Sequence, residues 1–462
     1  MASPHILVFP FMAKGHTFPM LQLARLLLRH GANVTLITTP GNRPFISSCL
    51  SDTIISVIDI PFPQDVQSIP PGVESTDKLP DISLWPDLVA ATKLMQPHFE
   101  QVLESLPRIS FMITDCFLGW TLDSANKYYI PRVACYPMGT FQLCLAHLVS
   151  DGCFVAGEEG IKLVDFPWIK MKREDFEPIF IDPESVKGTK AYEITIEQIR
   201  ANSKSHGTVV NTFYELESVF NDFWNSKIGP RAWCVGPLSM AEPQKIKSAN
   251  YQTPWWISWL DQMREAGKPV LYVAFGTQVE ISQAQFREIQ IGLEKSGVNF
   301  LWLVRKNELD DGFEERVKSR GTVVKEWVDQ REILEHETVR GFLCHCGWSS
   351  VMESICAKVP ILAWPMMWEQ PLNARMVVDV AGVGLRVEGC NGFVESEALA
   401  KAAKELMEGS ASEEVRKKAE EVGGAAVKAV EEGGSSWKPL DQLINELHTR
   451  IHSDNHLTYN NK

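Results

Sequence analysis

The sequence predicts an α/β protein made of two doubly wound units in tandem. Short apolar runs of strand length alternate with amphipathic stretches of helix length along most of the chain, the pattern of parallel sheets covered by helices. The order strand, small-residue loop, helix opens the chain at Ile6 and opens again at Val270. Between the two halves, Ala241 to Gln252 is polar and lacks periodicity, as a linker would. At 462 residues the chain is long enough for two full cores.

Residues 5–11 read as the first strand, Met12 to His16 as a loop, and 17–30 as a Leu-rich helix that stops at Gly31. Ala32 to Thr39 is a second strand and completes a βαβ unit. His16 then lies at the carboxyl end of the first strand, where open α/β sheets hold ligands. By itself it could equally be a helix-start histidine. Residues 54–100 are Pro-rich and irregular, then helical, with Asp81 to Glu100 expected near a pocket. Ile109 to Thr114 is another strand, and Asp115 ends it. A carboxylate there is costly unless exposed or paired; it reads as a turn or cap residue, or as the partner of His16. Tyr136 to Thr140 ends a further strand. Residues 150–200 read as an excursion on the acceptor side, and His206 to Asn211 returns to strand. Val235 to Leu238 closes the first domain, 1–240.

After the linker, 241–252, the second domain is expected over 253–436. It has a helix at Trp255–Gly267 and a buried strand at Pro269–Phe275. A loop at Gly276–Gln278 and a capping-box helix from Ser282 follow. Strands at 299–305 and 322–326 precede a dense segment from Trp327 to Gln370. Residues 395–433 read as charge-rich helix with mostly solvated faces. Leu440, Leu443, Ile444 and Leu447 form one apolar stripe in a last helix, 437–452. Residues 453–462 are a polar tail, expected to be disordered.

Hydrophobic residues make up 45% and charged residues 22% of the chain, as in ordinary globular proteins. A net charge of −13 argues against nucleic acid or an anionic membrane as partner. Ten scattered cysteines form no disulfide framework and fit a reducing, cytoplasmic setting. Ile6 to Met12 contains Pro10 and lacks a basic flank, so it is a strand rather than a signal peptide. No run of about 20 apolar residues is present, so no membrane span is expected.

The segment from Trp327 to Gln370 carries the densest chemistry. Gly341 to about Cys346 reads as a buried strand that stops at Gly347. Ser349, Ser350 and Glu353 then read as a capped helix start, a seat for phosphate. Cys344, His345 and Cys346 are not taken as a metal site, because in a strand the two thiols would face away from the imidazole. Trp327 offers a flat stacking face at one end, and Glu369 and Gln370 offer hydroxyl-reading groups at the other. A stacker, a phosphate seat and a polyol reader together suggest a sugar nucleotide.

This segment resembles the C-terminal signature box of plant UDP-dependent glycosyltransferases. The match lies at Trp327, Gln330, His345-Cys346-Gly347-Trp348, Ser350, Glu353, Pro360, Trp364-Pro365 and Glu369-Gln370. Gly15-His16-Thr17-Phe18-Pro19 resembles the family's GHxxP pattern, and Asp115 with Cys116 to Trp120 resembles its second conserved site. The resemblance implies two Rossmann-like domains facing across a cleft, the GT-B type, with a last helix returning to the first domain. It implies that Trp327 stacks on uracil, with Val328 contributing its backbone, and that Gln330 and Glu353 hold the ribose. His345, Gly347, Ser349, Ser350 and Thr277 would serve the diphosphate, with Thr140 a further phosphate donor. Trp348, Glu369 and Gln370 would read the sugar. Glu353 could instead only close a capping box with Ser350.

Two positions depart from the family pattern. Ser349 stands where Asn is usual, and Val328-Asp329 where Ala-Pro is usual. The resemblance further implies an inverting transfer of glucose from UDP-glucose to a hydroxyl, with His16 as general base and Asp115 orienting it, giving a β-glucoside. No metal or other cofactor is expected. A small phenolic or flavonoid acceptor would suit a pocket lined by Phe11, Phe117, Trp120, Met138 and Phe141, which could equally be core. A monomer with only small-molecule partners is expected. Another UDP-sugar or a glycoside acceptor, a non-catalytic sugar-nucleotide binder, and an NAD-dependent oxidoreductase are the alternatives. The last lacks a G-x-G-x-x-G after any strand.

Overall fold

The computed structural model describes residues 3–157, 160–241, 252–305, 308–389 and 392–459. Contacts divide the chain into two compact units. The first comprises Met1–Ser150, Pro178–Pro243 and Lys428–Lys462; the second comprises Asp151–Glu177 and Gln244–Val427. Most of the expected linker lies outside the described residues.

In chain order the strands are β1 (His5–Phe9), β2 (Asn33–Thr38), β3 (Ser56–Asp59), β4 (Phe111–Asp115), β5 (Arg132–Tyr136), β6 (Phe154–Gly157) and β7 (Gly160–Leu163). They continue as β8 (Gly207–Val210), β9 (Ala232–Cys234), β10 (Val270–Ala274), β11 (Asn299–Leu303), β12 (Gly321–Val324), β13 (Val339–Cys344), β14 (Ile361–Ala363) and β15 (Gly384–Arg386). The first unit holds a parallel sheet in the order β3-β2-β1-β4-β5-β8-β9. The second holds a parallel sheet in the order β12-β11-β10-β13-β14-β15. In each sheet the strand order reverses between that sheet's first and fourth strands in sequence, the arrangement of a dinucleotide-binding doubly wound fold. The switch points are therefore β1/β4 and β10/β13. Both sheets are buried on two faces, which explains why Leu271, Tyr272 and Val273 run as an unbroken apolar strand rather than alternating.

The last helix, Trp437–Tyr459, belongs to the first unit and extends through most of the stretch expected to be a disordered tail. Leu440, Leu443, Ile444 and Leu447 are buried in one cluster with Leu23, Ala24 and Leu27 of the Lys14–Arg29 helix. Residues 395–433 form two helices, Ser396–Glu408 and Ser412–Val430, and are less solvated than expected. Leu399, Ala403 and Leu406 are fully buried in the second unit's core.

The excursion between β5 and β8 differs from its expected place on the acceptor side. Its first part, Asp151–Glu177 with the antiparallel β6–β7 hairpin, packs with the second unit. The buried Asp175 accepts from Arg375 Nε at 2.9 Å and lies 3.6 Å from Arg386 Nη1, which pins this segment beside the Gln370–Arg375 helix.

Candidate active site

The first unit's switch point brings together two residues that are far apart in sequence. β1 ends at Phe9, and the helix that follows begins at Lys14, earlier than expected, so His16 sits in its first turn. Asp115 is the last residue of β4, the strand paired with β1. His16 Nδ1 lies 2.9 Å from Asp115 Oδ2. Asp115 is fully buried and His16 is 19% exposed, so the carboxylate is shielded while the ring reaches the surface. Asp115 Oδ1 also accepts from the Phe117 backbone N–H at 2.9 Å, and more weakly from the Cys116 thiol. A carboxylate on Nδ1 puts the ring proton there and makes Nε2 the basic atom. This is the geometry of a base held by an orienting acid.

Aromatic rings surround the base. Phe117 lies 5.1 Å from the His16 ring and Phe11 5.8 Å, and Trp85 stands 5.7 Å from Phe117. Trp85 was not singled out from sequence; its Pro-rich surroundings gave no periodicity to place it. Three of the expected acceptor residues are core instead: Phe11, though edge-on to His16, is buried in one apolar cluster with Phe9, Phe99 and Trp120. Trp120 is buried against Phe9 and Phe99 and donates its indole N–H to Thr92 at 3.0 Å. Phe141 is fully buried, edge-on to Phe220. Met138 is half-buried just before the Thr140–Ser150 helix. Thr140, expected to be a phosphate donor, is also fully buried, and its N–H and hydroxyl are both committed to Glu217.

The second unit's switch point lies between the ends of β10 and β13, where Ala274 pairs with Cys344. Gly276 and Thr277 follow the first of these strands and His345 to Gly347 follow the second. β13 stops at Cys344, two residues earlier than expected, so His345 and Cys346 are loop. Cys346 adopts a left-handed backbone (φ 62°), and Asn373 Nδ2 holds its carbonyl at 2.8 Å. A non-glycine residue in that conformation is strained and persists only where its surroundings impose it.

The helix begins at Trp348, with Gly347 as its N-cap and no side-chain cap. The expected capping box does not form. Ser350 Oγ and Glu353 Oε2 instead accept from Gln330 Nε2, at 3.0 and 2.6 Å. An N-terminus without a side-chain cap, at a sheet's switch point, is suited to an anion.

His345 is packed between two glycines. A Cβ on Gly276 would come within 2.8 Å of its ring, and one on Gly347 within 2.5 Å of Nε2. Burial pushes its pKa down to about 4, so the ring is neutral at physiological pH and serves as a hydrogen-bonding group rather than a cation. Its buried Nδ1 has no hydrogen-bond partner, a cost a bound ligand would relieve.

Along the rest of the site, Trp327 is 68% exposed, an indole face open to a base. Val328 is buried behind it, and Asp329 caps the short Gln330–Leu334 helix by accepting from Arg331 N–H. Asp329 thus does by capping what a helix-starting proline would do by its fixed φ. At the far end, Gln370 Oε1 accepts from the Met366 and Met367 N–H groups at 3.0 and 3.1 Å. The amide is therefore fixed with its NH₂ group as the part left to read a hydroxyl. Glu369 precedes it, after Trp368 in a left-handed conformation (φ 53°). The Trp348 indole is buried at the first residue of the helix.

A further carboxyl, Glu177, was missed. Its pKa is pushed up to about 7 by burial and by the neighbouring Glu369 carboxylate. It comes from the excursion, nearly two hundred residues away in sequence, and no pattern marked it.

These two sites define a sugar-nucleotide transferase of the two-unit α/β class. The family model for UDP-glucoronosyl and UDP-glucosyl transferase matches residues 258–418. The chain is 50% identical over 464 residues to UDP-glycosyltransferase 90A1 of Arabidopsis thaliana, covering 96% of each. It is 35% identical to UDP-glucose flavonoid 3-O-glucosyltransferase 7 of Fragaria ananassa, again over 96% of each. Among solved structures, Phytolacca americana UGT2, complexed with UDP-2fluoro-glucose and pterostilbene, superposes with a TM-score of 0.81 at 27% identity, covering 96% of this chain and 100% of that one.

The chain belongs to the plant UDP-glycosyltransferases, enzymes of the GT-B type. Among the described residues, no helix is long and apolar enough to cross a membrane.

Proposed function

We propose that the protein transfers glucose from UDP-glucose to a hydroxyl of a small phenolic acceptor, with inversion, to give a β-glucoside. The His16–Asp115 pair carries this reading, because a hydroxyl nucleophile needs a base and a plain binder does not. His16 Nε2 takes the acceptor proton as the oxygen attacks the anomeric carbon. Asp115 stabilises the imidazolium that forms. The bond to UDP breaks in the same step, and its growing negative charge is met by the Trp348–Cys356 helix N-terminus and by His345. Each unit supplies one requirement of the reaction: the first a base, the second a seat for the leaving group.

The reading needs no metal. His16, Asp115 and Cys116 have ligand atoms within 4.8 Å of one another. Burial and the Asp115 charge push the Cys116 thiol well up, so it stays a neutral donor to the carboxylate. The half-buried Phe117 and Trp85 rings favour a flat, aromatic acceptor. A cytoplasmic monomer fits the scattered thiols and small-molecule chemistry.

Glucose is favoured by the far end of the site. Gln370 offers a fixed N–H donor and Glu369 an acceptor, a pair suited to neighbouring equatorial hydroxyls. An axial hydroxyl would leave one of them unpaired, at about 1–3 kcal/mol. Glu177 beside Glu369 also opposes a sugar carboxylate. With equal UDP-glucose, UDP-galactose and UDP-glucuronate and one phenolic acceptor, the glucoside is expected to exceed the galactoside by roughly one to two decades. Glucuronide should be a trace. Galactoside or glucuronide as the main product, or UDP release without need of an acceptor, would contradict the proposal.

A further inference from the structure

A second charged group lies beneath the base, and nothing in the reaction so far uses it. Arg132, the first residue of β5, is fully buried. Its Nε donates to Thr114 Oγ1 at 2.7 Å and to Thr121 Oγ1 at 2.9 Å. Its Nη1 donates to Asn202 Oδ1 at 3.0 Å and to Ser205 Oγ at 2.6 Å. Its Nη2 reaches the carbonyls of Asp115 and Leu118, at 3.3 and 3.5 Å. Among the described residues, no carboxylate lies within ion-pair distance of it. Hydroxyls, an amide and backbone carbonyls satisfy all three nitrogens.

A buried cation held this way is expensive, and an apolar side chain of similar volume would often be as stable. The carboxylate whose charge acts on it is that of Asp115, the residue that orients His16. The other titratable groups facing this spot are the Cys116 and Cys135 thiols and the Tyr136 phenol, all pushed up by burial and therefore neutral. Burial lowers the Arg132 pKa to about 10, which still leaves it charged at neutral pH. The Lys190–Ser203 helix faces the same loop with neutral groups: Asn202 donates to the Cys116 carbonyl, and Gln198 accepts from Gly119 N–H.

We infer that Arg132 is a positioning residue that holds the Asp115 loop by its backbone and, as the counter-charge to the buried carboxylate, keeps His16 neutral and able to act as a base. With Asp115 ionised, Arg132 charged and His16 neutral, the resting cluster carries no net charge. Without the guanidinium, the buried carboxylate would draw a proton onto the pair, and a protonated His16 cannot accept one from the acceptor. The sign follows directly. A positive charge opposes protonation of the pair, so its loss makes protonation easier and moves the acid limb of the kcat/KM profile to higher pH.

The inference rests on His16 as the base, and the experiment separates the two. The kcat/KM profile against pH is measured with UDP-glucose and one phenolic acceptor for wild type, Arg132→Gln, Arg132→Lys and Ser205→Asp. UDP affinity serves as the control for folding. Arg132→Gln should move the acid limb up by roughly one pH unit, the lower end of what a neighbouring charge does. Arg132→Lys keeps the charge and loses the fork, so kcat should fall with the limb near its wild-type position. Ser205→Asp leaves Arg132 in place but sets a carboxylate against it, and should move the limb up as well. It therefore tests the charge even where Arg132→Gln fails to fold. Limbs unmoved in both Arg132→Gln and Ser205→Asp would overturn the inference and leave Arg132 a scaffold. Wild-type turnover in His16→Ala would instead overturn the reading beneath it.

Discussion

Replacing His16 with alanine is expected to lower kcat/KM by about 10²–10⁴-fold, the range a lost general base accounts for. UDP affinity should stay near wild type, because His16 sits at the first unit's switch point while Trp327, Gln330 and Glu353, the residues proposed to hold the nucleotide, are all in the second unit. The two readouts together make the prediction specific. A fall in both turnover and UDP binding would indicate a folding defect. Near-normal turnover with a hydroxyl acceptor would remove His16 from the chemistry. The 2.9 Å bond to a fully buried Asp115 makes the second outcome hard to reconcile with the geometry.

Gly347→Ala should produce the opposite division. The backbone at this position (φ −58°, ψ 134°) suits any residue, so the added methyl carries no conformational strain of its own. What it meets is the His345 ring, 2.5 Å from Nε2, with Gly276 closing the other side. The ring must move, and with it the hydrogen bond it would offer to the diphosphate. One buried hydrogen bond is worth about 1–3 kcal/mol, so the UDP dissociation constant should rise roughly 5- to 150-fold. Isothermal titration with UDP measures this directly. Unchanged affinity would mean that His345 does not contact the diphosphate.

How much of this was legible in the sequence depended on the distance over which each signal acts. Strand-to-helix alternation is local, and β1, β4, β10 and β13 were each placed within a few residues. His16 and Asp115 were readable as strand-end residues, and the family resemblance joined them. Helix starts were less readable. Ser350 and Glu353 have the spacing of a capping box, but the strand already ends at Cys344 and Gly347 is the N-cap, so the helix begins at Trp348. The same two side chains then face Gln330. Aromatic residues were hardest to divide. Phe117 stays half-buried beside His16, whereas Phe11, Trp120 and Phe141 are equally apolar in sequence but are buried in the core. Asp175, Glu177 and Arg132 were invisible because their meaning lies in long-range partners: Arg375, Glu369 and the Asp115 loop.

The central claim is that this chain performs a single, base-assisted displacement at the anomeric carbon of a UDP-sugar. The most direct measurement is the anomeric configuration of the product formed from UDP-glucose and a simple phenol, read from the proton coupling at the anomeric position and paired with quantification of released UDP. The account predicts a β-glucoside formed in equal amount to UDP, with formation collapsing in His16→Ala. An α-glucoside, or free glucose and UDP in place of a glycoside, would contradict it.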